Sequence, residues 1–199
     1  MGRLPHLITD RLILRLLNSD DLASFVDYRN VPEVARYQGW SLPYLAEDAA
    51  WLLAGQSDGA FGAPGRWFQL AIVDRVDGML HGDCAVRMRE DWLGSAELAI
   101  TLTPTAQRRA LAAEALRALI DHLVDDHAVH RLIAEIDARN LPARRLVDAL
   151  GLRLEAQLVD ADWHKGEWTT VCVYAVLASE WRVARPDRDV ALSQPQELC

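Results

Sequence analysis

The segment from Ser95 to Ala138 constrains the fold more than any other part of the chain. "SAELAITL" reads as a strand and "HRLIAEIDA" as another. Between them, from Ala106 to His127, Leu116, Leu119, Ile120, Leu123 and Val124 repeat at helical spacing. A strand, a long helix and a second strand make a connection long enough for a right-handed crossover between parallel neighbours. Just upstream, "WFQLAIVD", "HGDCAVRMR" and "SAELAITL" are joined only by the short turns "RVDG" and "EDWLG", so those strands run antiparallel. The sheet must therefore be mixed. Parallel neighbours that diverge at one end open a cleft there, and the crossover helix presents its N-terminus to that cleft as an anion site.

The remaining elements follow from periodicity and punctuation. Arg11 to Leu16 is an opening strand. A helix follows, with Ser19 or Asp20 placed to cap it and Leu22, Phe25, Val26 and Arg29 on one face. "YLAEDAAWLLAG" is a second short helix stopping at Gly55, and the glycine-rich "GQSDGAFGAPG" is expected to be a mobile surface loop. "NLPARRLVDALG" is a helix capped by Asn140 and ended by Gly151. Two strands then flank a turn at Lys165-Gly166. Residues 1–183 form one domain, and periodicity is lost after that, so 184–199 is expected to be a flexible tail.

Composition excludes several classes. At 199 residues there is room for one domain with a sizeable core. A net charge of -8 argues against nucleic acid as a partner and fits a cationic or neutral substrate. No apolar run can cross a bilayer, and arginines interrupt the apolar N-terminus, unlike a secretory signal. Cys84, Cys172 and Cys199 form neither a CxxC pair nor an even disulfide set, which suits a reducing, cytoplasmic setting. Cys84 and Cys172 lie in strands as apolar fillers. The six histidines have no metal-ligand spacing, with His127 and His130 expected to be solvated at a helix–strand junction, so no metal is expected. There is also no GxSxG elbow and no GxxxxGK[ST] loop.

Four fragments, in order, resemble the GCN5-related N-acetyltransferases (GNAT), most closely their RimJ/RimL-type branch: "TDRLILRLL", "AELAITLTPTAQRRALAAEAL", "ARNLPARRLVDALGLRLEA" and "GEWTTVCVYAVLASEW". Together they span roughly Leu7 to Trp181. The resemblance implies an α+β (α/β) fold with a mixed, mostly antiparallel twisted sheet of about seven strands. It also implies a splayed parallel pair, strands 4 and 5, and helices on both faces. The implied activity is acetyl-CoA-dependent acetylation of a primary amine, by direct attack in a ternary complex. The implied partner is an amine substrate, a protein N-terminus or a small molecule, and relatives are often homodimers.

The family's cofactor motif, Q/R-x-x-G-x-G/A, falls on Gln107, Arg108, Arg109, Ala110, Leu111 and Ala112, with Ala113 following. Its chemistry needs main-chain N–H groups that converge on a diphosphate, backed by the helix dipole. Alanine at 110 replaces the first glycine and strains the turn if its φ is positive. Arg108 and Arg109 offer direct phosphate contacts. The alternative is a plain alanine-rich helix start with both arginines solvated. Ile100 and Leu102 match positions whose backbone pairs with the pantetheine arm, and main-chain N–H groups near Leu98 to Ile100 match those that polarise the thioester carbonyl.

Glu97, a lone carboxylate in an apolar strand, is the candidate general base; the alternative is a structural partner of an arginine. Asn140 matches an asparagine that touches pantetheine or an ordered water, and it also serves as a helix cap. Ala143 stands where many relatives have serine, and with no tyrosine on that helix no general acid is evident. Thr169 and Thr170 stand where relatives often carry an aspartate. Trp40, Trp51, Trp67 and Trp168 are candidates for a substrate pocket, although tryptophans commonly serve the core. Ala110, Ala143 and Thr170 leave open a second possibility, a degenerate GNAT-type module that binds or senses without acetyl transfer.

Overall fold

The structure, a computed structural model, describes residues 6–57, 61–91 and 94–185. It holds one eight-stranded sheet in the order β1-β2-β3-β4-β5-β6-β8-β7. The strands are β1 (His6–Ile8), β2 (Leu12–Leu16), β3 (Trp67–Asp74), β4 (Leu80–Met88), β5 (Ser95–Leu102), β6 (Arg131–Asp137), β7 (Arg153–His164) and β8 (Glu167–Leu177). Every paired neighbour is antiparallel except β5 and β6. The short strand β1 is one more than the sequence suggested, so the expected fourth and fifth strands are β5 and β6.

Helices cover both faces, because side chains alternate across each strand. On one face lie α1 (Leu22–Arg29), α2 (Pro32–Ala35) and α3 (Ala46–Ser57), which pack with Ala71 and Val73 around Phe25, Tyr28 and Tyr44. The other face carries α4 (Leu111–Asp126), α5 (Leu141–Ala149) and α6 (Ala178–Val183). There Leu111, Leu119, Ile120 and Leu123 of α4 meet Leu70, Ile72, Leu98 and Leu132 in a single apolar layer. The 3.6-residue repeat read in the sequence is this buried stripe of α4. Cys84 and Cys172 are both buried in it as free thiols, and burial pushes the Cys84 thiol well above its ordinary range.

Several local expectations need correction. The first cap is Asn18, whose side chain accepts from the Asp20 N–H, while Asp21 turns back to the Asn18 N–H at 2.9 Å. Asp21 is free to do this because Arg15 holds it bidentately, at 2.7 and 2.8 Å. α3 continues through Gly55 to Ser57, since one glycine only weakens a helix. Of the expected mobile loop, residues 58–60 lie outside the described residues. Phe61 anchors its far side, buried edge-on against Phe68 at 5.2 Å. His127 is half-buried rather than fully solvated: it packs at 4.8 Å on His122 and at 5.2 Å on Phe61, and burial lowers its pKa, helped by His122, whereas His130 is exposed as expected. The expected tail from 184 lies almost wholly outside the described residues.

Other punctuation acts as read. Asn140 caps α5, accepting from the Ala143 N–H at 3.3 Å, and Gly151 follows the helix with φ 85°. Lys165 and Gly166 both have positive φ, which suits the two-residue turn of a twisted hairpin.

Candidate functional site

β5 and β6 pair only from Ser95 to Glu97 against Arg131 to Ile133. β5 then continues to Leu102 with β4 on one edge and no strand on the other. Unpaired edge groups of this kind are ready to bind an extended ligand. A narrow groove of about 100 Å³ lies in the split, lined by Leu98, Ala99 and Ile100 of β5, Ala134 and Ile136 of β6, and Leu116 and Ile120 of α4. Asn140 and Ala143 of α5 close its far wall. Leu102 is not among the lining residues; its carbonyl accepts from Gln107 Nε2 at 3.3 Å and so ties the strand end to the following loop.

That loop is not a plain helix start. A short 3₁₀ turn spans Pro104–Ala106, Gln107 is extended, and α4 begins only at Leu111. Arg108 and Ala110 are left-handed, with φ 60° and 61°, while Arg109 between them is not. Alternating handedness turns successive N–H groups toward one side, the geometry of an anion nest. No side chain caps α4, so the N–H groups of Leu111, Ala112 and Ala113 have no intrahelical partner. The residues present therefore suit a diphosphate, even though alanine pays about 1–2 kcal/mol to adopt this conformation.

A strap from the N-terminal strands braces the turn. Arg11 Nη1 donates to the Arg109 carbonyl at 3.0 Å, and its guanidinium pairs with Glu114 at 2.6 Å. Thr9 Oγ1 and the Arg11 N–H also reach Glu114, at 2.6 and 3.0 Å. Burial works to raise the Glu114 pKa, but these hydrogen bonds outweigh it and hold the carboxyl below its ordinary value.

A second, larger cavity of about 940 Å³ opens on the opposite face of β5, between the sheet and α1 and α3. Its size falls at the upper end for small-molecule sites. Cross-strand register makes its floor: Gln69, Ala85 and Ala99 form one row, with Asp83 and Thr101 beside it. Trp40, Tyr44, Trp51 and Trp67 line it. Asp83 is fully buried. Tyr28 Oη donates to its Oδ1, and Arg29 Nη2 lies 3.2 Å from its Oδ2. Burial raises the Asp83 pKa, against the opposing pull of Arg29. Arg29 is itself sandwiched 4.0 Å from the ring centres of Phe25 and Trp40.

The two cavities share Gln38, Ala99 and Ile100. They therefore meet across β5, where its free edge begins.

Glu97 lies on the same sheet face as Ala99 and Thr101 but lines neither cavity. Its Oε2 accepts from Arg87, which in turn lies over Trp67 at 4.8 Å, and from Arg89 at 3.2 Å. Of the two possibilities left open by the sequence, arginine pairing is the arrangement seen. The reason is register: Arg87 stands directly across from Glu97. Trp40 lines the larger cavity, whereas Trp168 lines neither; it is an exposed hairpin residue packed at 5.2 Å on Trp163.

Asp83 and Tyr37 were not singled out in the sequence. Asp83 carries the same signal as Glu97, a carboxylate within an apolar strand. Tyr37 gives no signal, because it reaches the groove from the turn after α2. Among the described residues, no group of three or more metal-ligating side chains is present.

Comparison with known proteins agrees with this geometry. An uncharacterized N-acetyltransferase p20 from Bacillus licheniformis is 26% identical over 175 residues, covering 88% of this chain and 97% of that protein. The crystal structure of a spermidine N-acetyltransferase from Vibrio cholerae, in complex with CoA and spermine, superposes with a TM-score of 0.76 at 19% identity, covering 87% of this chain and 99% of that one. Mycobacterium smegmatis RimJ in complex with CoA-disulfide superposes at 0.73 and 20% identity, covering 85% of this chain and 83% of that one. Residues 11–153 match the acetyltransferase (GNAT) domain model, and the chain belongs to that family.

Proposed function

We propose that this chain transfers an acetyl group from acetyl-CoA to a primary amine by direct attack, with both substrates bound at once. The observation that carries this is the meeting of a narrow groove and an aromatic cavity at Gln38, Ala99 and Ile100. A thioester reaching that junction from one side is within reach of an amine from the other.

In this scheme the diphosphate binds the N–H groups from Arg108 to Ala113, with Arg108 and Arg109 as further contacts. The pantetheine arm runs along the free edge of β5 past Ile100 toward Leu102, and Asn140 flanks it. The amine nitrogen attacks the thioester carbonyl carbon. The C–N bond forms first, placing negative charge on the carbonyl oxygen, which N–H groups on the β5 edge near Leu98 to Ile100 stabilise. Collapse of this tetrahedral intermediate breaks the C–S bond and releases CoA. We assign the amine proton to Asp83, hydrogen-bonded to Tyr28, because Asp83 lines the acceptor cavity and burial raises its pKa. Glu97 then serves to hold Arg87 and Arg89 beside the site. Tyr37 bears the one hydroxyl among the described residues lining the groove, and we assign to it the protonation of the departing sulfur. A thiol with an ordinary pKa near 8.5 also leaves readily as the thiolate. The reducing cytoplasm suits the two buried free thiols.

Titration with acetyl-CoA by calorimetry, followed by mass spectrometry of amines incubated with protein and acetyl-CoA, tests this directly. Saturable binding and a mass gain of one acetyl group are expected. Absence of any acetyl-CoA binding would end the assignment, whereas binding without transfer to any amine would leave the sensing module.

A further inference from the structure

We infer that the acceptor cavity takes a monoamine carried on an aromatic or bulky apolar body and discriminates against polyamines. This rests on the transfer scheme above for its chemistry but not for its binding.

The floor of the cavity is hollowed by two small residues. Ala85 and Ala99 lie in register between Gln69 and the free edge of β5, flanked by Trp67 and Arg87 on one side and by Asp83 and Thr101 on the other. Trp40, Trp51 and Trp67 stand around this hollow. Trp51 is 80% exposed, so core packing does not account for its presence on α3. A flat apolar body entering here gains ring-on-ring contact and removes exposed indole from water. Gln69 is buried, and its Oε1 has no hydrogen-bond partner among the described residues. A buried acceptor without a partner is costly, and one amine N–H satisfies it.

Charge points the same way. The chain carries -8, but the cavity lining does not share that excess: Arg29 and Arg66 balance Asp48 and Asp83. Asp83 is already matched by the Arg29 guanidinium and accepts from Tyr28, so it takes one proton from the attacking amine but offers no unmatched charge to a second ammonium. Asp48 is solvent-exposed at the start of α3, where one of its oxygens accepts from the Leu45 N–H at 2.8 Å. Arg66, on the same lining, hydrogen-bonds the Gly55 carbonyl and adds a positive charge. A polyamine would bring two or more ammonium groups into this space, where Arg29 already matches the one buried carboxylate of the lining. A single amine, which gives up its proton in the transfer, leaves no such unmatched charge behind.

The test is calorimetry of the CoA-loaded protein with phenethylamine, phenylalanine amide, spermidine and spermine, run beside CoA release from acetyl-CoA with the same amines. Aromatic monoamines are expected to bind at least tenfold more tightly than spermidine. Trp67→Ala and Gln69→Ala are each expected to weaken them severalfold while leaving acetyl-CoA affinity unchanged. Gln69→Glu, which keeps the side-chain shape but adds a carboxylate, is expected to narrow the preference by raising spermidine affinity. Spermidine or spermine binding as tightly as the aromatic amines overturns the inference, and so does failure of any aromatic amine to bind. Aromatic amines that bind without releasing CoA leave the cavity assignment standing and bring down the transfer scheme instead.

Discussion

The two sides of β5 are built from different materials. On the groove side the recognition elements are main chain: the free strand edge after Glu97, the left-handed turn at Arg108 and Ala110, and the first N–H groups of α4. On the cavity side they are side chains contributed by α1, α3 and three strands. Main-chain recognition survives substitution as long as φ and ψ are kept, so an alanine can occupy a position that favours glycine. A side-chain surface changes with every residue that lines it. In the transfer scheme proposed above, the donor side therefore tolerates substitution and the acceptor side does not.

The sharpest way to break the comparison is to remove the carboxylates. With acetyl-CoA saturating, Asp83→Asn is expected to lower kcat by about 10²–10⁴-fold, the range for loss of a general base, with acetyl-CoA affinity unchanged. Glu97→Gln is expected to cost less, because Glu97 acts through Arg87 and Arg89. The reverse order in steady-state kinetics would return the proton to Glu97.

A smaller effect tests the main-chain side. Ala110→Gly relieves about 1–2 kcal/mol of left-handed strain. The looser unfolded chain takes back about 0.4–1 kcal/mol of that. The net gain of roughly 0.5–1 kcal/mol should appear as a Tm increase of about 1–4 °C by calorimetry, with acetyl-CoA affinity retained. A loss of stability would mean that the turn is not left-handed in solution.

The smallest effect concerns the strap. The Glu114 pKa is lowered in the folded chain, so its contribution is complete above the ordinary glutamate value near 4.3 and is lost as pH falls through the lowered value. Glu114→Gln should therefore flatten the acid limb of a Tm-against-pH profile between about pH 5 and pH 3. An unchanged acid limb would show that the strap does not brace the loop.

Much of the groove was legible in the sequence. The helical period of α4, the Asn140 cap and the turn at Lys165-Gly166 are local signals, each set by residues within a few positions of one another. Glu97 was legible as a lone carboxylate in an apolar strand with an arginine as one possible partner, but which arginines meet it was not, because Arg87 reaches it only through strand register. Asp83 carried the same signal. Its significance lies in Tyr28 and Arg29, more than fifty residues away. Tyr37 and Gln38 gave no local signal at all.

The amino-acid order by itself determined the mixed sheet and the crossover through α4, since periodicity and turn chemistry act over short stretches of chain; the tertiary structure chose the left-handed turn over a plain helix start. Only the tertiary structure decided which carboxylate borders the larger cavity, which tryptophans line it and that the charges of its lining cancel. Those properties belong to neighbours in space, and the packing of α1 and α3 on the sheet brings them together.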